Sequence, residues 1–490
     1  MDYELKGYAP DLDPTLPGVV PECAAWIPSN RGMKAAPSPV DLGFDALAAE
    51  CRGAAILKQL DDTARLLAGT TTNMYEEGSG SWTSRYACGA GETLSAVHKW
   101  SFGIFGNIEL AISPNVPMIG SDTGAMSTIA KGGVDAPAGR VVVTVGDFVF
   151  VFNYTFDGTH YPDGWKCSAI ADHTDWTDDV ATQADSGRLY STPGKIIGAK
   201  RFGEGVAVYK KNAIYIGIYE GPPKIWRWVE VPGEVGAMCN EVIVDIGTPE
   251  DPKHIFMSPA GDWYMFDGAK PVPLFAPCKA EVFGELNNKK EEECNATHDR
   301  INDLIYFYYP VGSNDYSDKC VVYSYRQDRW GRDDREIHGA IEYISTGTTY
   351  GGVGALYSTY ADLPNNTYGN AFLGDSQILP AVFNASDKIV TLTGTAGSSS
   401  FTSNEFGDDT MYTMLTRVKP RYLTAPSSAQ MLNRYKYNIG DSFTDDTTTS
   451  ETSERFDVMR EARWHQCRFD YTGDVEIPMA KIDLMVSGDE

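Results

Sequence analysis

Short apolar runs bounded by Gly, Pro, Asn and Asp recur along the chain, and the plainest lie between Phe202 and Gly268. Val206-Ala207-Val208-Tyr209 and Ala213 to Tyr219 flank a polar Lys210-Lys211-Asn212 turn, and the second run puts Ile214, Ile216 and Ile218 on one face, the period-2 signature of a strand. This predicts a hairpin. A Gly221-Pro222-Pro223 break and Ile225 to Val229 follow. A second hairpin is then expected from Ile255-Phe256-Met257 and Trp263 to Phe266, turning at Pro259 to Asp262.

The same texture returns at Leu66, Ile108, Phe148, Val206, Ile255, Leu304 and Ala355, separated by 42, 40, 58, 49, 49 and 51 residues. Strand-built repeats of about 40 to 50 residues mark a β-propeller, whose blades are four-stranded sheets around an axis. Tandem β-sandwiches would repeat at about 100 residues. The pattern therefore predicts a mainly β protein with a propeller of six or seven blades over residues 44–380. The one helix candidate is Phe44 to Leu60, where Gly53 interrupts the pattern and Ala54 to Leu57 could equally form a buried strand.

Two regions fall outside the repeat. Residues 1–43 hold seven prolines and little periodicity, which predicts an extended arm, either a strap over the surface or a loose leader. Residues 381–490 are expected to form a separate β domain: Met411 to Val418 and Met431 to Tyr437 alternate as strands, and Trp464 to Tyr471 with Val475 to Val486 read as a closing pair. Residues 391–404 and 442–454 are polar and of low complexity, and are expected to be exposed loops.

Charge narrows the function. The net charge is −26, from 41 basic and 67 acidic residues, which opposes the clustered Lys and Arg needed to grip nucleic acid. Nine scattered cysteines without a C-x-x-C pair suggest free thiols made in a reducing compartment. Met1-Asp2-Tyr3-Glu4 does not read as a secretory signal, and no run reaches the ~18 apolar residues of a membrane helix.

Chemistry is hard to find. Gly194-Lys195 lacks the rest of a P-loop, there is no H-E-x-x-H or G-x-S-x-G, and the seven histidines never take metal-ligand spacing. No catalytic, cofactor or metal residue is nominated, and a non-enzymatic role is expected. The acidic run Asp172 to Asp179 offers oxygens to a divalent cation, but without the Gly and Glu of a calcium loop it reads better as a solvated loop pinned by Trp176. Trp226, Trp228, Trp263 and Trp330 suit packing between blades better than a sugar platform. Arg201, Arg227 and Arg332 suit surface or inter-blade pairs.

A series of segments in order carries a resemblance: Gly7-Tyr8-Ala9-Pro10 with Ile27 to Met33, Ala64 to Thr70 leading to Tyr75 and Trp82, Phe105-Gly106-Asn107, Asp175-Trp176-Thr177 with Ala181-Thr182-Gln183, Tyr219 to Pro223, Val231 to Gly236, and Met265 to Gly268. In these the chain resembles the tail nozzle and packaged-DNA stabilisation proteins of short-tailed bacteriophages over most of residues 1–380. More faintly the likeness extends to Arg417-Val418-Lys419-Pro420. The resemblance implies a virion protein made in the host cytoplasm, a homohexameric ring ending the tail tube. It would extend the DNA channel, retain the genome and open for ejection. Its implied partners are copies of itself, the adaptor or tubular proteins leading to the portal, tail fibres or spikes, and genomic DNA passing without sequence-specific binding. No cofactor is implied. The alternative is a propeller-fold tail component that binds or hydrolyses glycans.

Overall fold

The computed structural model describes residues 2–61, 63–344 and 377–489. Among these the strands assemble seven four-stranded antiparallel blades, spanning residues 54–87, 101–128, 138–188, 198–231, 243–273, 295–332 and 337–394, the last completed by Ser38–Asp41. In each blade the first strand lies innermost. Each innermost strand touches the next, and that of blade 7 (Ile337–Ile344) touches that of blade 1 (Ala54–Lys58), so the ring closes. The fold is a β-propeller.

Burial explains why the repeat is visible in the sequence. Leu66, Ile108, Phe148, Val206, Ile255 and Leu304 all fall in the second strand of their blades. That strand is flanked by strands on both sides and packed on both faces, so it carries a continuous apolar run. Phe148–Phe156 shows the division of labour: Phe150 and Phe152 join Val206, Val208 and Trp226 of blade 4, while Val149 and Val151 join Leu110, Ile112 and Met118 of blade 2. Each such buried side chain contributes roughly 1.5–3 kcal/mol. The repeat expected at Ala355 lies outside the described residues, and the second strand of blade 7 is Ile378–Asn384.

Several expectations need correction. Of the two readings of Phe44 to Leu60 the helix is absent and the strand forms: Ala54–Lys58 is the innermost strand of blade 1, entered through Gly53 at φ +126°, where a Cβ would sit 2.8 Å from the Trp100 carbonyl oxygen. A short helix instead occupies Lys279–Glu285, between blades 5 and 6, and the Asp11 carboxylate accepts from its Ala280 and Glu281 amides at 2.6 and 3.1 Å. Residues 391–404 and 442–454 are not loops. Ile389–Gly394 and Ser398–Thr402 are strands, and Thr444–Ser450 is an edge strand whose Asp445, Asp446 and bulge suit a solvent-facing sheet edge.

The C-terminal region is a sandwich of two sheets. One orders Asp2–Glu4, Met479–Asp489, Met411–Arg421 and Phe456–Ala462; the other orders Glu22–Ala24, Ser398–Thr402, Trp464–Thr472, Ser428–Lys436 and Thr444–Ser450. Leu415, Val418, Phe456 and Ile482 of the first pack with Phe401, Met431, Phe469 and Tyr471 of the second. The arm is built into all of this. Its strands complete both sandwich sheets, its hairpin of Trp26–Ser29 and Gly32–Ala35 extends the sheet of blade 6, and Ser38–Asp41 closes blade 7.

Candidate functional site

The seven innermost strands enclose a central cavity of about 550 Å³. Its wall mixes small residues such as Ala54, Gly103 and Ala199 with polar ones, among them Lys99, Asn240, Asn295 and His298. His298 is buried, and its Nε2 lies 3.2 Å from the Tyr325 hydroxyl. Burial pulls this imidazole down to about 4, so it stays neutral at physiological pH.

Paired charges gather at the end of the ring where the innermost strands begin. The connection from blade 5 to blade 6 makes a single 3-10 turn at Glu291–Glu293 just before Asn295–Asp299. Each glutamate reaches cations carried by other blades. Glu293 pairs with Arg52, which precedes blade 1, at 2.9 Å and with Lys99, which precedes blade 2, at 3.6 Å. Glu292 pairs with Arg140 of blade 3 and, at 3.9 Å, with Lys195. Glu291 meets Lys211, in the hairpin turn of blade 4, at 2.5 Å. The Glu293 carbonyl also accepts from the Ser317 hydroxyl and the Asn295 amide at 2.7 Å each. Burial pulls Lys99 down, but Glu293 and Glu241 outweigh it and hold the ammonium above its usual value. Burial, Arg140 and Lys211 instead leave Lys195 below its usual value.

The residues singled out in the sequence lie elsewhere. In the acidic run the Lys131 ammonium sits 2.7 Å from Asp172 and 3.0 Å from Asp175, where a cation would have been held. Burial works against the Asp172 charge, but Lys131 and Thr174 hold its carboxyl at about 2. Asp172, Asp175 and Asp179 each accept a backbone N–H two residues on, and Trp176 is buried with its Nε1 donating to the His173 carbonyl. Trp226 packs edge-on against Phe150 at 4.7 Å, and Trp228 lies across Gly217. Trp263 meets Trp330 at 4.7 Å. All four fill contacts between blades 3 and 4 or 5 and 6. Arg201 and Arg227 pair at the surface with Glu204 and Glu220, whereas Arg332 is interior, joined to Tyr8, Glu281 and Asp334. The channel-mouth turn was not among the sequence candidates. Its signal was the run Lys289-Lys290-Glu291-Glu292-Glu293 immediately ahead of a strand, matched by single cations just ahead of other innermost strands.

Two further features bear on chemistry. A cleft of about 1140 Å³ between blades 2 and 3 is lined by Tyr154 and Tyr161, stacked at 5.0 Å, with Phe156, Asp157 and Asp178. Deeper, Glu109 is fully buried 2.7 Å from an Arg65 guanidinium shared with Glu76. Burial pushes its carboxyl up to about 8; Arg65 offsets part of this and Glu76 adds to it.

A pH dependence follows from Glu109. Unfolded, this carboxyl ionises near its usual value, so between there and about 8 the folded state keeps a proton the unfolded state has lost. Stability therefore falls as pH rises through that window. Glu109→Gln is expected to stabilise the protein by roughly 2–4 kcal/mol at about pH 8.5 and to change little at about pH 4, read by urea titration. An equal effect at both pH values would mean that Glu109 is ionised in the fold.

No family model matches the chain, and no curated protein is similar to it. Among solved structures it is similar to YCF48 from Cyanidioschyzon merolae, at 12% identity and a TM-score of 0.37 over 73% of this chain and 99% of that one. It is similar also to the computationally designed Ika8 protein, at 9% and 0.39 over 80% and 98%. A third is an exo-β-1,3-galactanase from Phanerochaete chrysosporium with galactose, at 10% and 0.30 over 91% and 100%. The seven-bladed assignment itself rests on the sheet topology.

Proposed function

We propose that the chain is a structural subunit of a short bacteriophage tail. It assembles as a homohexameric ring at the distal end of the tail tube, extends the DNA channel, retains the packaged genome and opens for ejection. The observation that supports this reading best is how the chain is tied together. Residues 2–41 complete both sandwich sheets, extend blade 6 and close blade 7. A part that holds back a packed genome needs its domains locked to one another, and a stapled arm supplies that lock without a disulfide. Two of the segments carrying the resemblance, Gly7 to Pro10 and Ile27 to Met33, lie in this arm. The net charge of −26 adds support, because repulsion of phosphates avoids the tight, salt-dependent binding that would stall DNA in passage.

The ring's neighbours would be the adaptor or tubular proteins leading to the portal, with fibres or spikes around it. Electron microscopy of the purified chain, alone and with a portal and adaptor complex, is expected to show six-fold rings that stack on the tube. Monomers under both conditions would overturn the proposal. The cleft carrying Tyr154, Tyr161 and Asp178 favours one second reading, a glycan-binding or glycan-hydrolysing tail component. Binding or cleavage of host polysaccharide by those monomers would support it.

A further inference from the structure

We propose that the basic ring at the mouth of the propeller channel is a binding site for a linear oligoanion, with the chemistry of a tripolyphosphate, and that the Glu291–Glu293 turn occupies it as an internal plug. The cations come from blades 1 to 4 and their approaches, while the three carboxylates come from one turn of the blade 5 to 6 connection. Three consecutive charges threaded among five cations of separate origin have the form of a ligand in a site. In a chain of net charge −26, a knot of five cations runs against the composition, so its placement at one mouth of the channel is a specific feature.

The turn completes the charge balance. Glu50 sits 3.3 Å from Arg52 and Glu241 acts on Lys99, so with Glu291, Glu292 and Glu293 five carboxylates meet five cations, and without the turn three positive charges would stand open to an anion. The crowding is felt by Lys195, held below its usual value by burial and by Arg140 and Lys211 beside it.

The turn is anchored at its inner end and open at its outer one. Its own backbone bonds run from Glu293 to Lys290 at 2.9 Å and from Cys294 to Glu291 at 3.3 Å, and Ser317 and Asn295 hold the buried Glu293, while Glu291 and Glu292 are placed by their side-chain pairs. The Glu291 and Glu292 side chains keep 20% of their surface exposed, and those of Lys195 and Lys211 keep 48% and 49%, so a solute can reach the outer half of the ring. Behind the turn lies the 550 Å³ cavity, whose wall carries Lys99 and Arg201 together with Glu241, Asp245 and Glu342, so the ring at the mouth and not the cavity is where an anion is favoured.

The test is calorimetric titration of the full chain with sodium tripolyphosphate at low salt. The wild type is expected to bind weakly, because tethered carboxylates compete at roughly millimolar effective concentration. The triple variant Glu291→Gln, Glu292→Gln, Glu293→Gln is expected to bind about 10- to 100-fold more tightly, with affinity that falls as salt rises. Adding Arg140→Gln and Lys211→Gln to that variant should abolish the gain. A folded triple variant that binds no more tightly than wild type overturns the proposal, as does a gain that survives loss of the two cations. Equal affinity for orthophosphate overturns the linear form of the ligand. Should the triple variant not fold, Glu292→Gln alone decides, since among the described residues its partially exposed side chain pairs with Arg140 and Lys195; unchanged affinity there overturns the proposal.

Discussion

Replacing Trp26 with alanine is expected to cost about 3–5 kcal/mol of stability, as for other large side chains removed from a packed core. Trp26 belongs to the arm yet is 0% exposed, stacked on Phe401 at 5.0 Å and on Tyr471 at 5.9 Å in the sandwich. Its backbone pairs with Arg332 of blade 6 and with Ala35 in its own hairpin. One side chain thus anchors the arm at the point where propeller and sandwich meet. The indole N–H has no partner among the described residues, so Trp26→Phe forfeits no hydrogen bond seen there and should lose only about 1–1.5 kcal/mol. Urea unfolding followed by circular dichroism, with limited proteolysis of residues 10–21 as a local readout, checks both variants. A loss below about 1 kcal/mol for Trp26→Ala would mean that the arm lies on the surface rather than in the core.

That contrast shows what the amino-acid pattern could and could not carry. The propeller was legible because each blade repeats one strongly apolar second strand, and six of the seven expected positions fall on such strands. Outer strands such as Ser81–Ala87, with no buried position, and Val272–Pro273, exposed and two residues long, left no comparable trace. The arm misled because proline density argues for extended chain, and extended chain is also what a strand supplies; pairing partners some 300 to 480 residues away leave no local sign. Residues 442–454 misled in the opposite way. A mostly exposed edge strand has the composition of a loop, and its pairing with Ser428–Lys436 and the Asp446–Arg460 contact to the opposite sheet set it apart. The candidate site was the least legible. Its cations lie far apart in sequence, each unremarkable alone, and only ring closure gathers them around the glutamate run.

Arg332→Ala is expected to cost about 3–5 kcal/mol, because it leaves the buried Tyr8 and the half-buried Glu281 without their guanidinium, whereas Asp334 keeps Lys319 at 2.9 Å. The Arg332 Nη1 donates to the Tyr8 hydroxyl at 2.7 Å and to Glu281 at 2.8 Å, and its Nε donates to Asp334 at 3.0 Å. Tyr8 in turn donates to the other Glu281 oxygen, and its phenol is pushed well above its usual range by burial and by that carboxylate. The guanidinium therefore ties blade 6 to the arm through Tyr8 and to the helix Lys279–Glu285 through Glu281, while Asp11 of the same arm caps that helix. Lysine keeps the charge but offers a point in place of a fork, so it can serve one of these acceptors well and not all three. Arg332→Lys should accordingly lose about half as much as the alanine variant. Hydrogen exchange at residues 7–8 and 279–285 provides the local measurement, with protection expected to fall in both segments together. If exchange rises in the helix alone, Tyr8 is held by its burial rather than by Arg332, and the arm is fastened to the propeller chiefly through Trp26 and the strand closing blade 7.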